Sequence, residues 1–328
     1  MLRANSMTKV AKTARLTLVG PLPPPLHGQS VVMSMMVSDL SSAFPSVRVV
    51  DTGERGTPVW MHIPAKAWGF VSAAFWSATA PSAVYIAVKA GKGMWLTAAI
   101  AGLARLSGAR IFLHHHGYKY VSKRKRRMVA LTHAAGPAAY HVVLSKSMET
   151  DLRAAMPEIH RTLILNNARW IDQSLLDIPL RAGDNQLVLG HLSNLGLAKG
   201  IAEVVELAIR LKEAGCRTHL IVGGPASDRA ARLHIERASR ELGELFDYRG
   251  PLTGEGKIKF FRDVTHFVFP SHDEALPLVI YEAMASGAVC LTTSVGSIPE
   301  QVEGSAAEIV QSAESFVDEV LPTLIRTL

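Results

Sequence analysis

Residues 265–303 read THFVFPSHDEALPLVIYEAMASGAVCLTTSVGSIPEQVE, and the order of their segments decides the fold class. His266–Phe269 is a short β-branched and aromatic run that stops at Pro270-Ser271. A polar tip follows, then a helix-like segment from Leu278 that ends at Ser286-Gly287, then a second apolar run, Ala288–Thr292. Short apolar runs bounded by Pro and Gly read as strands, and the longer one between them reads as a helix. Strand, loop, helix, strand is the βαβ unit of a parallel sheet.

Two carboxylates bracket the loop-to-helix junction, Glu274 before it and Glu282 within the helix. Ligands of open α/β sheets bind beyond the carboxyl ends of the strands, so both side chains can face one ligand. The helix start at Leu276-Pro277-Leu278 offers unpaired amides and a positive dipole end, which suit a phosphate. Carboxylates accept hydrogen bonds from hydroxyls. The pair therefore fits a phosphorylated ligand with sugar hydroxyls. The plainer alternative is one soluble surface carboxylate and one helix-face Glu.

The segment PSHDEALPLVIYEAMASG (Pro270–Gly287) closely resembles the Glu-x7-Glu signature of the retaining nucleotide-sugar glycosyltransferases of family 4, the glycosyl transferases group 1. The family pattern, roughly P-S-x-x-E-[GA]-[FL]-P-L-x-x-x-E-A-M-A-x-G, is matched at Pro270, Ser271, Pro277, Glu282, Ala283 and Gly287. The resemblance implies an α/β protein of the GT-B type, two doubly wound Rossmann-like domains facing across a cleft. It implies an acceptor-binding domain over residues 1–168 and a domain for the nucleotide-sugar donor over residues 169–328. It also implies roles. Glu282 would accept from ribose hydroxyls, Glu274 would contact the transferred sugar, and the backbone from Ala275 through Leu276, Pro277 and Leu278 would hold the diphosphate.

The bulk properties agree with a two-domain globular protein. The chain has 328 residues, 48% of them hydrophobic and 19% charged, which argues against disorder. Its two cysteines, Cys216 and Cys290, lie far apart in no metal spacing, and a reducing cytoplasm is the simplest context. The first residues, MLRANSMTKVAKTARLTLVG, lack the apolar core and cleavage site of a secretory signal. Ala67–Val88 carries no formal charge and is long enough to cross a bilayer. Pro81-Ser82 interrupts it, so helix, turn and buried strand is the preferred reading. A net charge of +7 calls for an anionic partner: a nucleotide, a membrane surface or nucleic acid.

In the first half, the strand Leu16–Val19 runs into GPLPPPLHGQS (Gly20–Ser30) and a helix over Val31–Leu40. Strand, glycine loop and helix bring amides close to a diphosphate, although the prolines also fit an ordinary rigid turn. Where His27-Gly28 stands, the family commonly has Gly-Gly, so the resemblance makes Gly28 the residue in close backbone contact with donor or acceptor. His27 departs from the pattern. Strands are expected at Val84–Val88, Arg110–His114 and Tyr140–Leu144, with a helix over Met94–Leu106. Three adjacent histidines, His114–His116, cannot all reach one ion from an extended backbone. The resemblance instead implies a histidine reaching the donor sugar, His116 first and His114 as the fallback, with His115 packed or hydrogen-bonded.

The run from Lys119 to Arg127 is the densest charge on the chain and reads either as a solvated helix face or as a contact for an anionic membrane. Trp60, Trp68, Phe70, Phe75 and Trp76 lie in the same half. No recognised nucleic-acid module accompanies the charge, which makes nucleic acid an unlikely partner.

In the second half, Gln186–Gly190 reads as a strand, His191–Gly200 as its loop and Ile201–Glu213 as an amphipathic helix. The family loop G-R-L-x-x-x-K-G is matched at Lys199-Gly200, while Asn194 stands where Arg is expected and brings no charge. The resemblance gives Lys199 the donor diphosphate, with Arg169 as a residue that could supply the missing cation. A cation at a helix N-terminus opposes the dipole unless an anion binds. Arg249-Gly250 and Leu252 are candidates for nucleobase contact.

The resulting reading is a retaining glycosyltransferase of the cytoplasm, peripheral at the inner face of the plasma membrane. It would move a sugar from a UDP- or GDP-sugar to a glycan or lipid-linked acceptor in cell-surface polysaccharide or glycoconjugate synthesis, using Glu274, Lys199 and His116 and no metal. The alternatives are an epimerase of the same fold, an inactive nucleotide-sugar-binding scaffold, or a glycosidase acid/base pair, against which the phosphate-suited Lys199 speaks.

Overall fold

The computed structural model describes residues 14–24, 28–53, 62–79, 81–179 and 187–327, with side chains for all of these except 62–67 and 327. His27 and Trp60, singled out above, lie outside the described residues. The chain divides into two compact units, Met1–Asn166 and Asn167–Leu328.

The first unit has six parallel strands: β1 (Arg15–Gly20), β2 (Ser46–Asp51), β3 (Ala83–Ala87), β4 (Arg110–His114), β5 (Tyr140–Val143) and β6 (Thr162–Ile164), in the order β2-β1-β3-β4-β5-β6. Its helices are α1 (Gly28–Ala43), α2 (His62–Ala78), α3 (Gly93–Leu106), α4 (Tyr118–Val121), α5 (Arg126–Ala135) and α6 (Lys146–Ala155). Leu18, Val84, Leu113 and Val143 are fully buried, as expected for parallel strands covered on both faces. Ser145 caps α6, accepting from Met148 N at 3.0 Å, and Glu149 sits in its first turn.

The second unit repeats the plan with β7 (Val188–Leu192), α7 (Ile201–Glu213), β8 (His219–Gly223), α8 (Arg229–Leu242), β9 (Phe246–Tyr248), α9 (Gly254–Asp263), β10 (His266–Phe269), α10 (Leu278–Ala285), β11 (Val289–Thr293), α11 (Ile298–Gln301), β12 (Glu308–Val310) and α12 (Phe316–Thr327). Its sheet order is β12-β11-β10-β7-β8-β9. Alternation along β10 supplies two cores. Val268 packs with α7, α8 and α12, whereas Phe267 and Phe269 pack with Phe260, Phe261 and Ile280 of α9 and α10.

Several elements differ from expectation. β7 runs through His191 and Leu192, later than Gln186–Gly190, so His191 lies inside the sheet and is fully buried. The basic run does not form one helix face. It passes through the single turn α4, a non-helical stretch at 122–125, and then α5 from Arg126. The uncharged stretch, by contrast, is as expected: helix α2, a turn and strand β3. No helix among the described residues is long and apolar enough to cross a membrane.

Candidate functional site

In the second sheet the chain starts at the centre with β7, winds outward through β8 and β9, then returns to β10 on the other side of β7. The β7–β10 junction is therefore a topological switch point, where adjacent loops leave the strands in opposite directions and open a crevice. The loop after β7 carries Lys199 and the loop after β10 carries Glu274, which brings residues 75 apart in sequence together. Lys199 Nζ donates to Glu274 Oε1 at 2.5 Å.

The Glu274 loop is held from several sides. Ser271 Oγ donates to Ala198 O and to Glu274 Oε1, each at 3.1 Å, and His272 N donates to Ala198 O at 3.1 Å. Thr293 Oγ1 at the end of β11 donates to Ser271 O at 2.6 Å. Burial pushes the Glu274 carboxyl up from its ordinary range, against the opposing pull of the Lys199 charge and the Ser271 hydroxyl. The Lys199 side chain keeps 32% exposure against 13% for Glu274, so an incoming anion can reach the ammonium.

Gly200 fixes this arrangement. Its φ is +79° and a Cβ there would lie 2.3 Å from Pro270 O. Gly200→Ala combines a left-handed backbone with a clash between the two loops. It is expected to cost at least about 2 kcal/mol, read as a fall in denaturant midpoint, whereas a Gly215→Ala control has no atom within 4 Å to clash with.

Glu282 lies on α10 with its side chain 5% exposed and accepts from Lys257 Nζ of α9 at 2.6 Å. The α10 start is pinned by residues that the sequence does not advertise. Asn167 Nδ2 donates to Leu276 O at 2.6 Å, Gln301 Nε2 to Pro277 O at 2.8 Å, and Ser297 N to Ala275 O at 2.9 Å. Gly296, with φ +58°, lets the loop after β11 pass the Glu274 carbonyl, from which a Cβ would be 2.1 Å away. Pro277 has no N–H, so the donors at this helix start are the amides of Leu278 and the residues after it. Ala275 and Leu276 are buried in the loop.

Asn194 is exposed on the loop after β7. Arg249 sits at the end of β9, where Nε donates to Asp247 at 2.7 Å and Nη2 pairs with Asp263 at 2.7 Å, so two sides of its guanidinium are engaged by its own unit. The Arg169 guanidinium lies 5.3 Å from the centre of the Trp170 ring.

In the first unit Gly28 opens α1 and is exposed, and a Cβ added there would meet nothing within 4 Å. The histidines separate by environment. His114 and His115 are fully buried: His114 Nδ1 bonds the Tyr85 hydroxyl, and His115 Nε2 meets His141 Nδ1 at 3.0 Å. His116 is partly exposed on the loop after β4, and its backbone N–H donates to the Tyr120 hydroxyl at 3.2 Å. Burial removes His114, the fallback, from contact with a ligand in this conformation. An apolar hollow of about 770 Å³ lies elsewhere on this sheet, with Leu16, Ala83 and Arg110 at the amino ends of the strands among its lining.

An ammonium and helix-start amides can hold a phosphate, and carboxylates can take hydroxyls. Comparison with known proteins agrees in kind. Residues 175–321 match the family described as Glycosyl transferases group 1. EpsF of Bacillus subtilis, which carries a glycosyltransferase name, is 34% identical over 119 residues, 36% of this chain and 30% of that protein. A D-inositol 3-phosphate glycosyltransferase of Streptomyces avermitilis is 33% identical over 95 residues, 28% of this chain and 20% of that protein. The chain thus spans less than a third of the length of these curated relatives. Among solved structures, Anabaena Alr3699/HepE in complex with UDP aligns with a TM-score of 0.65 at 13% identity, over 95% of this chain and 90% of that one. Sucrose-phosphate synthase from Thermosynechococcus elongatus aligns at 0.69 and 16% identity, with the same coverage. At those identities the likeness is one of fold. Residues 175–321 thus match glycosyl transferases group 1, and the chain carries the GT-B fold.

Proposed function

We propose that this protein is a retaining glycosyltransferase that takes a sugar from a UDP- or GDP-sugar and passes it to a glycan or lipid-linked acceptor. The observation that carries the reading is the Lys199–Glu274 pair at the β7–β10 switch point, beside the α10 start. In this reading Glu282 takes the ribose hydroxyls, Glu274 the sugar hydroxyls, and Lys199 with the α10 amides the diphosphate. Breaking the bond between sugar and diphosphate builds negative charge on the departing group, and preorganised donors there supply the main catalytic effect without requiring a metal. His116 serves the transferred sugar, and Gly28 the donor or the acceptor. The exposed residues 123–127 face an anionic membrane surface. Further support comes from the UDP and UDP-glucose named in the Anabaena Alr3699/HepE complexes.

A thermal-shift panel of nucleoside diphosphates and their sugars, run on the wild type and Glu282→Ala, tests this reading. One diphosphate nucleotide should raise Tm in the wild type, and much less in the variant. No shift with any nucleotide would sink the donor reading, and equal shifts would remove Glu282 from the ribose. Asn194, in place of a cation, favours one alternative: a scaffold that binds nucleotide sugar without turning it over. Stabilisation by a nucleotide sugar with no release of nucleoside diphosphate across an acceptor panel would select it.

A further inference from the structure

We propose that Gln301 is a positioning residue for the anion seat at the start of α10. Its side-chain amide holds the Pro277 carbonyl and so aims the Leu278 N–H, on the opposite edge of the same peptide, at the switch-point crevice. The inference rests on the reading above, in which that helix start receives a diphosphate. Three successive carbonyls lead into α10, and each is held by a donor from elsewhere in the second unit. Ser297 N donates to Ala275 O at 2.9 Å, Asn167 Nδ2 to Leu276 O at 2.6 Å and Gln301 Nε2 to Pro277 O at 2.8 Å. In a trans peptide the C=O and N–H groups point in opposite directions, so holding Pro277 O fixes where the Leu278 N–H points. Leu276 O has no such counterpart, because the next residue is a proline; Asn167 steadies the turn without aiming a donor. The sheet order gives the direction. Ser297 and Gln301 both follow β11, and β11 lies on one side of β10 while β7 lies on the other. Carbonyls drawn towards the β11 side leave the N–H groups of their peptides turned towards β7, whose loop carries Lys199.

Gln301 is fixed from both sides. Gly296 brings the loop after β11 against the Glu274 carbonyl, and Gln301 N then donates to Ser297 O at 2.9 Å. Ile298 and Val302, which flank it on α11 and just beyond, are buried in the same core as Ile280 of α10. The Gln301 side chain is itself buried, and its acceptor sets its orientation: turned over, Oε1 would face the Pro277 oxygen. That orientation has a cost. Among the described residues, Gln301 Oε1 and Asn167 Oδ1 are both buried with no hydrogen-bond partner. A buried carbonyl left unpaired lowers stability. A methionine of similar length would fill the same space without that cost, so packing alone does not account for an amide here. Two side-chain donors on successive carbonyls of an anion-binding turn do account for it. An N–H that is already aimed needs no reorganisation when charge arrives, and it is then worth most.

Isothermal titration of the whole chain with UDP and with GDP, at about pH 8.5 and about pH 6.5, tests the proposal on the wild type, Gln301→Met and Gln301→Glu. Gln301→Met keeps the length and exchanges one unpartnered carbonyl, Gln301 Oε1, for another, Pro277 O, so its Tm should stay near that of the wild type. Its affinity for whichever diphosphate the wild type binds should fall about tenfold. In Gln301→Glu the new carboxyl repels the Pro277 oxygen when ionised and donates to it when protonated, and burial raises its titration towards neutrality. Compared with the wild type at the same pH, this variant should bind about tenfold more weakly at the higher pH and recover most of the loss at the lower. Two results would overturn the proposal and leave the donor reading standing. One is an affinity of Gln301→Met within about twofold of the wild type; the other is a Gln301→Glu deficit that does not change with pH. The second comparison stays decisive if the methionine variant folds poorly. Binding of neither UDP nor GDP by the wild type would instead remove the diphosphate seat itself, and this inference with it.

Discussion

Lys199→Ala should lower kcat/KM for sugar transfer by about 10²–10³-fold, equivalent to about 3–4 kcal/mol of transition-state stabilisation. The size follows from where the charge goes. The ammonium is the cation at the switch-point crevice within hydrogen-bond reach of Glu274, and Asn194 offers no second charge where the family has one. In the proposed reaction its help is needed most as the diphosphate departs, so kcat and kcat/KM should fall together, with nucleotide affinity reduced less. Lys199→Arg keeps the charge and should recover part of the rate, though its planar fork cannot reproduce the contact of a point charge. Removing the ammonium also leaves the desolvated Glu274 carboxylate without its counter-charge. Glu274→Gln in the Lys199→Ala background should therefore restore Tm while leaving the rate low. Release of nucleoside diphosphate, followed with the donor that the thermal-shift panel identifies, measures this. A loss below tenfold would take Lys199 out of the chemistry.

The parts legible in the sequence are those whose neighbours lie close by in the chain. HFVF reads as a strand because a strand covered on both faces is apolar throughout. β2, SVRVVD, escapes because it is an edge strand with Arg48 pointing outward, and β12 is only three residues long. The sequence places β7 too early because His191 reads as polar. It lies in the core because Nδ1 meets Val268 O at 2.9 Å and Nε2 meets Ser193 Oγ at 2.8 Å, which satisfies both ring nitrogens. Glu274, Glu282 and Lys199 stand out by motif. Lys257 does not, since its pairing with Glu282 exists only once α9 packs beside α10. Asn167 and Leu276 are 109 residues apart, and nothing local marks a side-chain amide as the clamp on a distant helix start.

A steep loss of stability in mild acid is the second large effect expected. Burial holds His141 and His191 down at about 4, and holds His114 and His115 well below the ordinary imidazole value, with neighbouring histidines adding repulsion in the first unit. The ordinary value is about 6.5. Above it both folded and unfolded chains carry these rings neutral, and the full stability is present. As pH falls from about 6.5 towards about 4, the unfolded chain takes up protons that the folded chain refuses, and each ring costs about 1.4 kcal/mol per pH unit. By pH 4 that is about 3 kcal/mol from His141 in the first unit and as much from His191 in the second. His114 and His115 add to the loss in the first unit, and a domain has only about 5–15 kcal/mol in total. The carboxylates act elsewhere or in reverse. Glu149, held at about 2 chiefly by Lys146 and Thr162, loses its contribution only as pH drops below the ordinary carboxylate range, and Glu274, raised by burial, is relieved by acid. Tm should therefore be level above about pH 6.5 and fall steeply below about pH 5.5, with the first unit, which holds three of the four rings, failing first. His191→Gln keeps a donor and an acceptor without a titrating ring. It should weaken the pH dependence of the second unit, where burial also lowers His266, and leave that of the first as it was. A level Tm from pH 7 down to about 4.5 would mean that these rings are hydrated or protonated in the folded protein, contrary to their burial.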